Sequence, residues 1–528
     1  MRDFHIPGRS AAYGTNGMAA TSHPLATTTA LEVLRQGGNA VDAAVAAVAA
    51  LCVVEPAMTG IGGDCFVLYA PASGGVVALN GSGRAPAAAT PERLAELGVT
   101  ALGSGSPHSV TIPGAIAAWE KLVEAHGSRS LGELLQPAIR YAEEGFPVSP
   151  RVALDWKRCT PTLERSAGGR SIYLPGGKAP GVGRIVRLPT LARTLRRVAE
   201  GGAQAFYTGE IAEAMATTLQ SMGGLQGYED FAAAEAEFVE PIQTSYRDVR
   251  VYQCPPNGQG VITLLMLNIL EGYDMASLDP NGAERHHLLA EAAKLAYRDR
   301  DLFLADPAHA SSPMETLIEK SYAGRLREQI DRERAMTDLP PPLLDAHPDT
   351  TYLSVVDRDL NAVSFINSIY DGFGSGLVCE RTGVIFHNRG RAFRLDPKHP
   401  NCIAPGKRPM HTIIPGLAFK GGEVWAAYGV MGGNYQPVGQ STVLSAMIDY
   451  GMDPQEAIDA PRSMAFPVDM EVERGMPAAT RAGLQERGHQ IVEPAGPLGG
   501  GQAIVIDRKR GVLIGGADPR KDSVALGL

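Results

Sequence analysis

The chain has 528 residues, of which 44% are hydrophobic, enough for one large core or two domains. Its formal net charge of −9, with 20% charged residues, argues against a broad surface for nucleic acid or anionic membrane. Six scattered cysteines with no C-x-x-C pair give neither a zinc site nor a disulfide framework, so free buried thiols are expected, with no metal and no cofactor.

Met1 to Tyr13 carries Arg2 and Arg9 but no apolar core of a secretory signal, and no apolar run approaches the ~18 residues of a membrane span. A cytoplasmic protein is the expectation. Gly17 to Pro24 reads as a polar entry to a helix at Leu25–Gln36, closed by Gly37-Gly38-Asn39. A second, buried helix over Ala40–Val54 stops at Glu55-Pro56. Gly60-Ile61-Gly62-Gly63-Asp64 is a tight turn. It matches neither phosphate-binding glycine pattern, so a turn or close packing is expected there. Strands follow at Cys65–Tyr69 and Val76–Leu79.

From Pro113 to Phe303 the pattern is mostly helical. Segments are expected at 115–124, 131–144, 190–199, 210–222, 260–270 and 284–301, with a strand at Val249–Cys254. His286 and His287 are adjacent on the last of these helices and cannot share a face. With no carboxylate or cysteine spacing to complete a metal site, they read as surface or packing residues. Beyond residue 350 the text changes to strands with glycine turns: 352–356, 362–367, 383–386, 411–417 and 424–429. Helices at 438–449 and 454–459 and strands at 503–506 and 512–514 complete the chain. The grouping implies sheet layers faced by helices, an α/β (α+β) class.

The junction at Asp349-Thr350 carries the chemistry. A polar, proline-rich run from Leu339 to Pro348 meets the strand pattern of Tyr352–Val356, and a hydroxyl residue stands between them. If the bond before Thr350 is cut, Thr350 gains a free α-amine beside its hydroxyl. That amine, with a pKa of about 7.7–8.0, is partly neutral near pH 7 and can take the hydroxyl proton.

The motifs resemble the γ-glutamyltranspeptidase family of N-terminal-nucleophile hydrolases over nearly the whole length. They are Gly17 to Pro24, Gly37 to Ala44, Val54-Glu55-Pro56, Gly60 to Gly63, Ile112-Pro113-Gly114, Thr350-Thr351 with Ser354 to Asp357, Phe373 to Gly376, Gly406 to Pro409, Gly432-Gly433 and Asp518-Pro519-Arg520. The resemblance implies a four-layer αββα sandwich. It also implies a precursor cut at Asp349-Thr350 into a large subunit, 1–349, and a small subunit, 350–528, intertwined as one structural domain. Thr350 is then the nucleophile, Gly432 and Gly433 the oxyanion hole, and Ser368 stands where a second family threonine bonds the nucleophile.

The departures from the family pattern concern the acyl pocket. The family's carboxylate-binding arginine falls at Ser82, leaving Arg84 nearest. The asparagine after the second threonine is Tyr370. The amine-gripping aspartates become Arg391-Ala392 within the run His387-Asn388-Arg389-Gly390-Arg391-Ala392-Phe393. A serine pair becomes His411-Thr412, and the loop from Phe393 to Arg408 is short. Arg84, Asn388, Arg389, Arg391, His411 and Thr412 are therefore the expected substrate-binding residues. A pocket that loses two acids and gains arginines should take a small carboxylate-bearing amide such as oxamate. The alternatives are a glutathione hydrolase or transpeptidase, a glutaryl or cephalosporin acylase, and an unprocessed binding protein.

Overall fold

The computed structural model describes His5 and residues 8–339, 350–466 and 469–528. Asp349, on which the expected cleavage falls, lies outside the described residues. Two seven-stranded sheets form the centre. One runs Val524–Gly527, Gly17–Thr21, Thr351–Asp357, Ala362–Ser368, Asp64–Ala70, Val77–Gly81, Glu237–Val239. The other runs Ala12–Gly14, Val512–Ala517, Gly500–Asp507, Glu423–Met431, Gly416–Lys420, Val249–Gln253, Ile242–Tyr246. Every neighbouring pair in both sheets is antiparallel.

The two-residue period of the strands builds the layers. In Thr351–Asp357, Tyr352 and Val356 join a core shared with Leu417, Ala427, Met431 and Ile504 of the opposite sheet. Leu353 and Val355 point the other way, into a core shared with the helices Pro24–Arg35, Ala40–Val54 and Ala115–His126. The outer face of the second sheet packs Val251, Ala426 and Val430 against the helices Gly260–Leu270, Ala283–Phe303 and Gln436–Asp449. Three cores between four layers make the αββα sandwich. Gly429 permits the close approach of the sheets, because a Cβ there would stand 2.3 Å from the Tyr352 ring.

Helix Ala40–Val54 shows how sequence places an element. All its residues are buried, and its small alanines fit between the sheet and the outer helices. Asn39 caps it through Val41 N and Asp42 N at 2.9 and 3.0 Å, and Asp42 returns a bond to Asn39 N at 2.9 Å. Asp357, at the end of its strand, accepts from Ala40 N at 2.9 Å and ties the helix start to the sheet.

Several boundaries differ from expectation. Gly17–Thr21 is a central strand rather than a polar helix entry; its Ala19 and Ala20 are buried on both faces and pair with Val355 and Ser354. The segment 131–144 is two helices, Leu131–Leu134 and Gln136–Glu144, because Pro137 has no N–H to continue a single ladder. Residues 383–386 hold one bridge, Val378 with Ile385, and no strand. The strand expected from His411 begins only at Gly416, since His411 and Thr412 spend their polar groups on the site. The six cysteines are free, five buried and Cys159 half-buried. Among the described residues no helix is long and apolar enough to cross a membrane.

Candidate active site

Strand register assembles the first part of the site. Thr351 stands opposite Asn367, so Thr350 stands opposite Ser368, and Ser368 in turn is the register partner of Asp64. Thr350, Ser368 and Asp64 thus form a row across three strand ends, all buried. Thr350 Oγ1 and Ser368 Oγ are 3.2 Å apart. Ser368 Oγ accepts from Tyr370 N at 2.9 Å and from Arg389 Nη2 at 3.2 Å. Either hydroxyl of the Thr350–Ser368 pair can donate, and Thr350 Oγ1 lies within reach of Ser368. A hydrogen bond donated there stabilises negative charge developing on the threonine oxygen.

Arg389 is fully buried. Its Nη1 donates to Thr412 Oγ1 at 2.7 Å, and its guanidinium stacks 4.2 Å from the Tyr370 ring centre. Tyr370 holds a left-handed backbone, φ 78°, which brings its N–H onto Ser368 and its ring beneath the arginine. Arg389 forms no ion pair among the described residues, and its Nε has no hydrogen-bond partner. Burial lowers its pKa to about 10, partly offset by Asp64, so it remains a cation at neutral pH.

Asp64 is the acid that sequence reasoning passed over; the signal was its place at the end of the glycine turn, where a strand begins. Its Oδ1 accepts from Gly83 N at 2.9 Å and Gly114 N at 3.3 Å, and its Oδ2 lies 3.1 Å from His411 Nε2 and 3.5 Å from His387 Nδ1. Burial alone would raise its pKa, but the two imidazoles and Arg389 hold it at about 2. Burial, with Arg389 second, pushes His411 down to about 3, so its ring is neutral at pH 7. His411 is therefore spent on Asp64, and Thr412 on Arg389.

The remaining arginines stand apart. Arg391 Nη1 pairs with Asp371 Oδ2 at 2.5 Å, and Asn388 Nδ2 reaches the same oxygen at 2.7 Å. Arg84 Nη1 donates to Gly406 O at 3.1 Å and lines a separate cavity of about 450 Å³ with Ser82, Pro113, Glu229 and Asp230. Ser82 itself is held by Asn80 and Asn257.

The opposite sheet supplies the glycines. Gly432 and Gly433 leave strand Glu423–Met431 with φ of 113° and 54°, a conformation natural to glycine. A Cβ on Gly432 would lie 2.8 Å from Gly499 Cα. Among the described residues neither glycine N–H has an acceptor, and both precede the helix Gln436–Asp449. Free N–H groups in this setting can stabilise an oxyanion.

His286 and His287 diverge, as adjacency requires, but both are buried. His286 meets Ser463. His287 Nδ1 lies 2.8 Å from His489 Nε2, and Glu291 joins them. A carboxylate thus does converge on this histidine, contrary to the reading of spacing alone, because Glu291 lies one helical turn on. Lys294 Nζ already donates to Glu291 at 2.8 Å.

A family model described as gamma-glutamyltranspeptidase matches residues 26–528. The chain is 38% identical to the glutathione hydrolase-like YwrD proenzyme of Bacillus subtilis (strain 168), covering 98% of this chain and 99% of that protein. It is 34% identical to the oxamate amidohydrolase proenzyme of Klebsiella pneumoniae subsp. pneumoniae, over 97% and 98%. The crystal structure of cephalosporin acylase from Bacillus halodurans superposes with a TM-score of 0.93 at 40% identity, over 100% of this chain and 99% of that one.

Proposed function

Because the chain belongs to the γ-glutamyltranspeptidase family of N-terminal-nucleophile hydrolases, we propose that it is a self-processing threonine amidohydrolase whose acyl group carries a carboxylate and no α-ammonium. Thr350 Oγ1 attacks the amide carbonyl, its proton passing to the freed α-amine and then to the leaving nitrogen. Gly432 and Gly433 N–H groups receive the oxyanion, and water opens the acyl-enzyme.

The observation that carries the substrate class is Arg389: a buried cation with no carboxylate partner among the described residues, linked to Thr350 through Ser368 by two contacts of 3.2 Å. A buried, unpaired guanidinium is costly and gains most from an incoming carboxylate. The short chain of contacts from Thr350 through Ser368 to Arg389 favours an acyl group whose carboxylate adjoins the scissile carbonyl, as in oxamate, over an extended five-carbon diacid. Arg391 and Arg84, engaged by Asp371 and Gly406, are secondary candidates.

Purified protein should be assayed against oxamate, a glutaryl amide and a γ-glutamyl amide. The highest kcat/KM is expected for oxamate. Arg389→Met should lower it by roughly ten- to hundredfold, the worth of one charge-assisted hydrogen bond, while self-cleavage continues. A wild type that prefers the γ-glutamyl amide means glutathione-type hydrolysis, the reading favoured by the Bacillus subtilis relative. Preference for the glutaryl amide means an acylase, favoured by the TM-score of 0.93 with cephalosporin acylase. A single uncut band on a denaturing gel points to the binding protein.

A further inference from the structure

Behind the two glycines lies a buried polar chain that the proposed reaction does not use. Gln259 is fully buried, just ahead of helix Gly260–Leu270. Its Nε2 donates to two carbonyls, Gly433 O at 3.0 Å and Thr412 O at 2.8 Å. Its Oε1 accepts from Arg300 Nη1 at 3.0 Å, and the same Nη1 reaches Asn434 Oδ1 at 2.8 Å. Arg300 is itself held by Asp301 at 2.8 Å and by the Tyr297 ring, 4.6 Å away. A guanidinium only donates, so it compels Gln259 to present its oxygen toward Arg300 and its NH₂ toward the glycine turn.

Peptide planarity turns this into control of the oxyanion donors. In a trans peptide, each carbonyl and the following N–H point in opposite directions. Gly432 O accepts from Tyr435 N at 2.9 Å, which aims the Gly433 N–H away from the helix start. Gly433 O accepts from Gln259 Nε2 as well as from Gln436 N, and the two bonds together fix the next plane and with it the ψ of Gly433. Glycine at φ 113° and 54° has no side chain to restrict rotation, so the turn is held by its own bonds from Tyr435 N and Gln436 N together with the Gln259 amide behind it.

We infer that Gln259, oriented by Arg300, is a positioning residue that sets the Gly432–Gly433 N–H groups for the oxyanion, and through Thr412 O also places the hydroxyl that holds Arg389. This rests on the reading of Thr350 and the two glycines as nucleophile and oxyanion hole. The residue touches no reacting atom; it acts through the backbone.

The test uses p-nitrophenyl acetate, an activated ester that reports nucleophile and oxyanion hole without demanding the proper acyl group. Wild type should hydrolyse it, and Thr350→Ala should not. Gln259→Glu keeps the shape and the acceptor for Arg300 but turns an acceptor toward the two carbonyls. It should lower kcat by about tenfold to a hundredfold with KM within about threefold, since a displaced donor costs less than a deleted one. Arg300→Lys retains a donor to Gln259 and should keep most of kcat, whereas Arg300→Met should behave like Gln259→Glu. Wild-type kcat in Gln259→Glu or in Arg300→Met overturns the inference. So does a loss in Arg300→Lys as large as in Arg300→Met. If wild type and Thr350→Ala hydrolyse the ester equally, the nucleophile reading fails first, and the two failures are told apart.

Discussion

At the scale of single residues, each arginine counts through its partner. Arg389, Arg391 and Arg84 look alike in the sequence, and all three are credible carboxylate ligands there. The structure gives Arg391 to Asp371 and Arg84 to a backbone carbonyl, and leaves Arg389 buried beside Ser368. Arg391→Ala should therefore change kcat/KM on oxamate by less than about threefold, while Arg389→Met costs the ten- to hundredfold stated above. Equal losses in steady-state kinetics would show that Arg391 leaves Asp371 for substrate. Thr350→Ala should give one uncut chain by mass spectrometry and no turnover, because it removes the nucleophile of both reactions. Thr350 was legible because a hydroxyl at a linker–strand junction is a chemical pattern. Asp64 was not, because its partners, His387 and His411, lie more than three hundred residues away and become neighbours only through strand pairing.

At the scale of elements, caps and turns carry the geometry. Asn39→Ala removes the cap of Ala40–Val54 and a bond to His126 O at 2.8 Å. It should cost about 1–2 kcal/mol in urea unfolding with kcat unchanged. An unchanged midpoint would mean that packing alone holds this helix. Gly432→Ala places a Cβ 2.8 Å from Gly499 Cα at a φ that side chains rarely adopt. It should lower kcat at least tenfold while the melting temperature drops only a few degrees, because the turn lies at a strand end outside the three cores. Element types were largely readable from periodicity. The strand Gly17–Thr21 was not, since its five residues are buried on both faces and show no alternation.

At the scale of the molecule, the strands on either side of residue 350 interleave. Thr351–Asp357 lies between Gly17–Thr21 and Ala362–Ser368, and Glu423–Met431 shares its sheet with Val249–Gln253. Fragments cut at Thr350 should therefore co-elute on size exclusion and separate only in denaturant; dissociation in native buffer would contradict this. Acid should unfold the protein through its buried histidines. Burial pushes His23 down to about 4 and His286, His411 and His489 to about 3, against an ordinary 6.5. The unfolded chain then binds more protons than the folded one below pH 6.5. Stability falls as pH drops from 6.5 toward 3–4. Glu55 has the opposite sign: burial raises its pKa to about 8, so its contribution falls as pH rises from about 4.5 to 8. Four histidines outweigh one carboxyl on the acid side. Urea midpoints at pH 7, 6 and 5 should decline in that order, and a flat series would mean these rings find partners once protonated.

Taken alone, the sequence determined what depends on near neighbours and on chemical type: helix and strand periods, the hydroxyl at the linker–strand junction, the glycine pair, and the replacement of acids by arginines. Those signals are local, and chain order preserves them. Only the tertiary structure decided which arginine is left without a carboxylate partner among the described residues, which acid holds the two site histidines, and that Gln259 and Arg300 back the glycine turn. These depend on registers between distant strands and on competition among partners for the same lone pairs. Antiparallel pairing across hundreds of residues brings such groups within about 3 Å, the distance at which a hydrogen bond forms.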